Sequence, residues 1–430
     1  MKRILSVLLS ATMLATMMLG CSSQSSSSAT SNQTSAAGNT ASTKASQASA
    51  STGEKTPVTI WYYWETVKHQ QTLDKVIKAY NSSQEKIEIS AKYVPFADFK
   101  KQLSIGATAS KLPDIVIMDS PDMASYASMG IFADLTDKLK DWDGLSQYYE
   151  GPLNSCKLDG KLYGIPFGSN CLALFYNEDM LKAADCKVPT TWDELKDVAK
   201  KTTKGKVKGM GMCCVQNEEG TFTFMPWLWS TGTTSYKINN DKGIKALTLV
   251  SDLVRSGSMS KDVINWTQGD VMNQFISGNL AMMVNGPWQI STMREQAKNL
   301  KWNVALLPKD AQNASVLGGE NFGVINGEHI DQSLEFLKYA ASPDVLKGYI
   351  NDFGYIASRK DVATTQFASD AVMKLFSDEM QYAQPRGPHA QWPEVSDAIS
   401  LAVNESITQA STPAVAAQKA QSTIDGIVKK

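Results

Sequence analysis

Residues 275–290 read FISGNLAMMVNGPWQI, and this stretch changes character three times within sixteen residues. Val271, Phe275 and Ile276 lie at helical spacing after Asp270, a residue type suited to an N-cap. Gly278 stands where a helix needs a left-handed residue to stop. Residues 280–284, LAMMV, form a short apolar run, the pattern of a strand covered on both faces. Asn285-Gly286-Pro287 ends it, because proline has no N–H for a ladder and glycine permits a sharp turn. Trp288 is thereby presented at a strand's carboxyl end, where open α/β sheets place ligands. Its ring is either a ligand platform or a packed core aromatic, since large aromatics are mostly buried.

The flanking chain repeats this grammar. Strand patterns occupy 58–64, 87–94 and 114–119, with amphipathic helices between them, which argues for parallel βαβ units. Two strand-like runs, 163–167 and 172–176, are joined by Gly168-Ser169-Asn170. A second α/β set follows: a capping box at Thr191–Glu194, a strand at 209–215, an aromatic helix at 222–230 and a strand at 302–307. Residues 318–326 read as extended, and the remainder is mostly helical, broken by Pro385-Arg386-Gly387-Pro388. Two lobes joined by extended segments near 165–171 and 318–326 fit this order better than one large sheet.

Composition narrows the chemistry. The 430 residues carry a net charge of −1, so no bulk charge points to nucleic acid or an anionic membrane surface. Three histidines, none in HExxH spacing, and no CxxC pair give no support for a metal site, and no motif calls for a cofactor. There is no GxxxxGK[ST] phosphate loop, so any ATP-driven step belongs to another chain. No GxSxG nucleophile elbow occurs. Apart from Cys21, the cysteines are Cys156, Cys171, Cys186, Cys213 and Cys214, an odd set that cannot pair completely within one chain.

The first residues resemble a bacterial lipoprotein signal. Lys2-Arg3 is followed by the apolar run 4–19, too short for a comfortable membrane span, and then by Leu19-Gly20-Cys21. The expectation is a signal peptide at 1–20 and lipidation of Cys21. Residues 21–56 are rich in Ser, Thr and Ala, without the apolar side chains needed to offset ordering, and read as a tether.

The candidate ligand groups are aromatics and carboxylates at strand ends. Trp64 follows the first strand, Trp227 and Trp229 share the aromatic helix, and Trp392 follows the 385–388 loop. Trp227 and Trp229 are about 200° apart on a helix, so at most one can face a cleft. Glu65, Asp119 and Glu320 are placed to accept hydrogen bonds from ligand hydroxyls, with capping and surface solvation as their ordinary alternatives.

Several motifs together resemble the extracellular solute-binding proteins of ABC transporters, in the sugar-binding group that includes maltose-binding protein. In order they are VTIWYYWE (58–65), LPDIVIMDS (112–120), DGKLYGIPFGSNCLALFYNEDML (159–181), PTTWDEL (189–195), FISGNLAMMVNGPW (275–288), GGENFGVIN (318–326) and YIASRKDV (355–362). In the last, Ala357 stands where proline is usual. The resemblance implies a two-lobe, type II periplasmic-binding fold of α/β class with the ligand cleft between lobes. Lobe 1 would comprise residues 57–166 plus 320–350, and lobe 2 residues 168–318 plus 352–430. Matched ligand positions are Trp64, Glu65, Asp119, Ser120, Asn170, Trp288, Gly319, Glu320 and Trp392, with Trp227, Phe222 and Arg386 in a region that varies with ligand. The implied protein is a monomer, not an enzyme, held at the extracytoplasmic face of the cell membrane only by its lipid. It would bind a carbohydrate, an oligosaccharide more than a single sugar, and deliver it to ABC permease subunits served by a separate ATPase. Two other readings stay open: an exported glycoside hydrolase or lyase using a carboxylate pair, and a sensor subunit that presents its ligand to a membrane receptor.

Overall fold

The computed structural model describes residues 55–387 and 389–428; the expected signal peptide, Cys21 and nearly all of the tether lie outside them. Its strands are β1 (Thr56–Tyr62), β2 (Ile87–Tyr93), β3 (Ile115–Asp119), the two-residue hairpin β4 (Lys157–Leu158) and β5 (Lys161–Leu162), β6 (Gly164–Asn170), β7 (Ala173–Asn177), β8 (Met282–Asn285), β9 (Trp302–Ala305), β10 (Ser315–Val324) and β11 (Ala383–Pro385). The larger sheet runs β11-β10-β3-β1-β2, with β6 on β10. β1 is parallel to β2 and β3, as the alternating helices require, whereas β10 is antiparallel to both β3 and β6. The smaller sheet, β8-β7-β9, is antiparallel throughout. Residues 209–215 form no continuous strand; Lys208, Met210 and Gly211 make isolated parallel bridges to Leu280, Met259 and Met283.

The strand–turn signals of 275–290 resolve with two shifts: the strand is Met282–Asn285, later than the expected 280–284 and with Asn285 inside it, and the helix cap moves. The helix Gln268–Ile276 is capped by Thr267, and Asp270 is the N3 partner in its capping box, not the cap. A threonine hydroxyl and a carboxylate three residues on satisfy two orphan N–H groups reciprocally. Gly278 is left-handed at φ 70°. Gly168, Ser169 and Asn170 lie inside β6 and do not form a link between strands.

Buried apolar side chains gather into two large cores and a smaller third. The first joins β1–β3 to the helices Val67–Ser83 and Ile330–Ala340. The second is built around the helices Glu218–Ser230, Asp241–Arg255 and Trp392–Thr408. The third packs Phe175, Phe275 and Phe376 together. Phe353, Tyr355, Ala357 and Val362 belong to the first core, which carries its chain past 350, where lobe 1 was expected to end. Ala357 is buried and its N–H donates to Gln366 Oε1 at 2.8 Å, a bond that proline could not make. The five cysteines beyond Cys21 are all unpaired thiols.

β6 and β10 carry the chain between the cores, and glycine lets them approach. Gly319 has φ 134°, and a Cβ there would lie 2.1 Å from Gly168 O. Gly319→Ala therefore faces a backbone clash as well as a forbidden dihedral. Urea denaturation of this variant should show a loss of at least about 2 kcal/mol, or no folded protein; an unchanged midpoint would contradict the pairing described.

Candidate functional site

Because β1 and β3 are parallel, their carboxyl ends open on one edge and bring Tyr63, Trp64 and Glu65 beside Asp119. β10 then sets Glu320 directly opposite Asp119, while β6 sets Asn170 opposite Gly318. The second core contributes Glu218, Glu219 and Phe222 from one helix, the helix Gln268–Ile276, packed in the third core, contributes Gln268 and Met272, and the turn after β8 contributes Trp288. Tyr355 and Arg386 complete a cavity of about 290 Å³, near the lower end of the range for small-molecule sites.

Trp288 is half-buried, and its position follows from the residues before it. Asn285 Nδ2 donates to Gln268 O and its Oδ1 accepts from Gly286 N, tying the turn to the helix Gln268–Ile276. The Trp288 ring folds over Gly286, where a Cβ would come within 1.9 Å. It packs against both large cores, with the Phe222 ring 6.0 Å away.

Arg386 is the central charge. Its Nη2 and Nη1 donate to Asp119 Oδ1 and Oδ2 at 2.7 and 2.8 Å, a bidentate fork. Nη1 also donates to Glu218 Oε1, and the guanidinium lies 4.4 Å over the Phe222 ring. Trp392 Nε1 donates to both Glu218 oxygens at 3.1 and 3.0 Å. Burial opposes the charge on Arg386, but Asp119 and Glu218 more than offset it and hold the guanidinium protonated. Burial pushes the Asp119 carboxyl up, against the pull of Arg386.

Glu320 is held differently. Its Oε1 accepts from the hydroxyls of Tyr63 and Tyr355, each at 2.8 Å, and Trp64 Nε1 donates to Tyr355 Oη at 3.1 Å. Burial, then the nearby Asp119, raises the Glu320 carboxyl to about 8, although both tyrosines and Trp64 pull it down. At the cavity mouth Glu219 accepts from Gln268 N at 2.9 Å. Burial, with Glu65 and Asp270 close by, raises it to about 7. Glu65 itself is exposed, and partial burial and Asp270 raise it.

Of the positions expected from sequence, Trp64, Glu65, Asp119, Asn170, Phe222, Trp288, Gly319, Glu320 and Arg386 line this cavity together. Three do not. Trp227 and Trp392 are fully buried in the second core; Trp227 packs against Trp192, and Trp392 is turned inward to support Glu218. Ser120 lines a second, adjoining cavity of about 370 Å³. Along β10, Glu320 lines only the first cavity and Leu317 and Asn321 only the second, while Gly318, Gly319 and Arg386 border both. Trp64 is itself almost entirely packed, 4.4 Å from Phe353 and 4.9 Å from Phe167, and shows the cavity little more than an edge. Tyr63, Glu218, Glu219 and Tyr355 were not anticipated. Tyr63 and Tyr355 fall inside quoted motifs, yet only the meeting of β1, β10 and the 350–357 segment shows that both serve Glu320.

Replacing Arg386 by methionine strands Asp119 and Glu218 as buried, unneutralised carboxylates. The expected loss in urea denaturation is about 3–5 kcal/mol, with Arg386→Lys in between because it keeps the charge and loses the fork. A loss below about 1 kcal/mol would show that solvent reaches these carboxylates.

Comparison with known proteins agrees with this architecture. The chain superposes on an ABC transporter solute-binding protein of Thermotoga lettingae bound with α-D-tagatose, with a TM-score of 0.81, 26% identity and coverage of 87% of this chain and 100% of that one. The GacH receptor of Streptomyces glaucescens, solved unliganded and in complex with acarbose, gives a TM-score of 0.78 at 25% identity, covering 88% and 100%. In sequence, the lactose-binding protein of Rhizobium radiobacter is 26% identical over 323 residues, 70% of this chain and 74% of that protein. Residues 75–374 match the bacterial extracellular solute-binding protein family, and the chain belongs to that family.

Proposed function

We propose that this chain is the carbohydrate-capturing component of an ABC importer, tethered outside the membrane through a lipid on Cys21, which closes its two lobes on the sugar and hands it to permease subunits served by a separate ATPase. One observation carries the reading: the cavity between the cores sets an aromatic face, Trp288, against a ring of planar hydrogen-bonding groups, Asn170, Glu320 and Arg386. A sugar presents apolar C–H faces and a rim of hydroxyls, which such a pairing complements. The tagatose, acarbose and lactose of the relatives support the substrate class. The anchor rests on the 1–21 sequence, and no helix among the described residues is long and apolar enough to cross a membrane.

Because both cores contribute walls, ligand shifts an open–closed equilibrium by its differential affinity for the closed form. A thermal-shift panel of tagatose, lactose, maltotriose and acarbose tests the class directly. At least one should raise the melting temperature and be recovered uncleaved after incubation. If none does while a peptide or polyamine does, the carbohydrate assignment falls. Trp288→Ala should still fold, since its ring is only half-buried. It should bind the best panel member at least about tenfold more weakly, a loss of about 1.4 kcal/mol. Unchanged affinity by calorimetry would remove Trp288 from the site.

A further inference from the structure

Resting on the carbohydrate reading, we infer that Glu320 meets the ligand as a neutral acid whose Oε2 donates a hydrogen bond to a ligand oxygen, not as the acceptor its sequence position suggests. The hydrogen-bond directions fix which oxygen holds the proton, and burial with Asp119 directly opposite is what keeps it there against the two phenol donors. An indole N–H can only donate, so Tyr355 Oη accepts from Trp64 and sends its own hydrogen to Glu320 Oε1. Tyr63 sends its hydrogen to the same oxygen. Oε1 is thereby supplied twice, while Oε2 is buried without a hydrogen-bond partner in a residue that lines the cavity.

The surroundings leave one protonation state comfortable. Asp119, opposite on β3, accepts guanidinium N–H bonds on both oxygens and so carries no proton on either. A second negative charge beside it, in a site excluded from water, is disfavoured. Glu218 adds a further carboxylate and Arg386 is already committed to both. Near Trp64 and Tyr355, His69 is pushed down to about 4 by burial and brings no positive charge. Tyr63 and Tyr355 are held well above their ordinary range, first by burial and then by Glu320, and remain donors. The raised Glu320 carboxyl agrees with this geometry. Its hydrogen sits on Oε2, and any acceptor oxygen of a sugar, in the ring, the glycosidic link or a hydroxyl, can take it.

The sign of the pH effect follows. The binding-competent form is the protonated one, so affinity is level below about pH 8 and falls above it, approaching tenfold per pH unit for loss of one proton. Calorimetry between about pH 6 and 9.5, with the carbohydrate that gives the largest thermal shift, compares the wild-type chain with Glu320→Gln. The glutamine offers an N–H donor at the Oε2 position and an acceptor to both tyrosines, and it does not titrate. The wild-type Kd should rise through the alkaline range, and that of Glu320→Gln should not change with pH there. A wild-type Kd that stays flat to pH 9.5, one that tightens as pH rises, or an equal alkaline loss in Glu320→Gln overturns the donor role and leaves the carbohydrate reading intact. Absence of binding to any carbohydrate at any pH overturns both.

Discussion

Two carboxyl groups face each other where β10 crosses β3, and the site is arranged so that they do not both carry charge unaided. Like charges directly opposite on neighbouring strands are destabilising. Asp119 is answered by a full cation, the Arg386 fork, and Glu320 by two phenol donors on one oxygen. Both answers depend on the register of β10. Glu320 reaches its place because β10 pairs with β3 in unbroken register from Glu320 to Val324, while β6 takes up the irregularity by passing over Phe167 between Gly168 and Pro166. A one-residue shift of β10 against β3 would pass the site with a different side chain pointing inward.

The same economy of side chains governs the aromatic wall. Trp288 packs on both large cores because two glycines clear its surroundings: Gly286 beneath the ring and Gly354, at φ 69°, against Pro287 O. The ring therefore reports on the relative placement of the cores, and a movement of one against the other must repack it. Arg386 does the same for charge, holding Asp119 from the first core's sheet and Glu218 from a helix of the second. A ligand in this cavity competes with or completes contacts that already span the cores.

Local signals in the sequence carried far. A short apolar strand after Gly278, a stop at Gly286-Pro287 and the turn carrying Trp288 are short-range chemistry, and the structure keeps them, although Asn285 joins the strand. The parallel β1–β3 unit followed from periodicity, and the resemblance supplied the crossing strands. What failed was the face of a residue. Trp392 sits in a loop-and-helix context much like that of Trp288, yet its indole points inward to Glu218. Trp227 lies on a helix buried nearly all round, where spacing cannot single out a cleft face. Glu218, Tyr63 and Tyr355 gain their roles from partners between 35 and 257 residues away in the chain, as with Glu320 and each tyrosine. Periodicity holds no record of such pairings.

Occupied hydrogen-bond capacity also bears on the choice between holding a sugar and cleaving it. Hydrolysis by a carboxylate pair needs one group free to attack or to activate water while the other gives a proton. Asp119 spends both oxygens on Arg386, and Glu218 is shared between Arg386 and Trp392. Glu320 can give a proton, but the carboxylate facing it is neutralised and rigidly held. Glu219 and Glu65 stand at the mouth, and Glu219 is tied to the helix start at Gln268. That distribution supports capture and release as the work of this cleft.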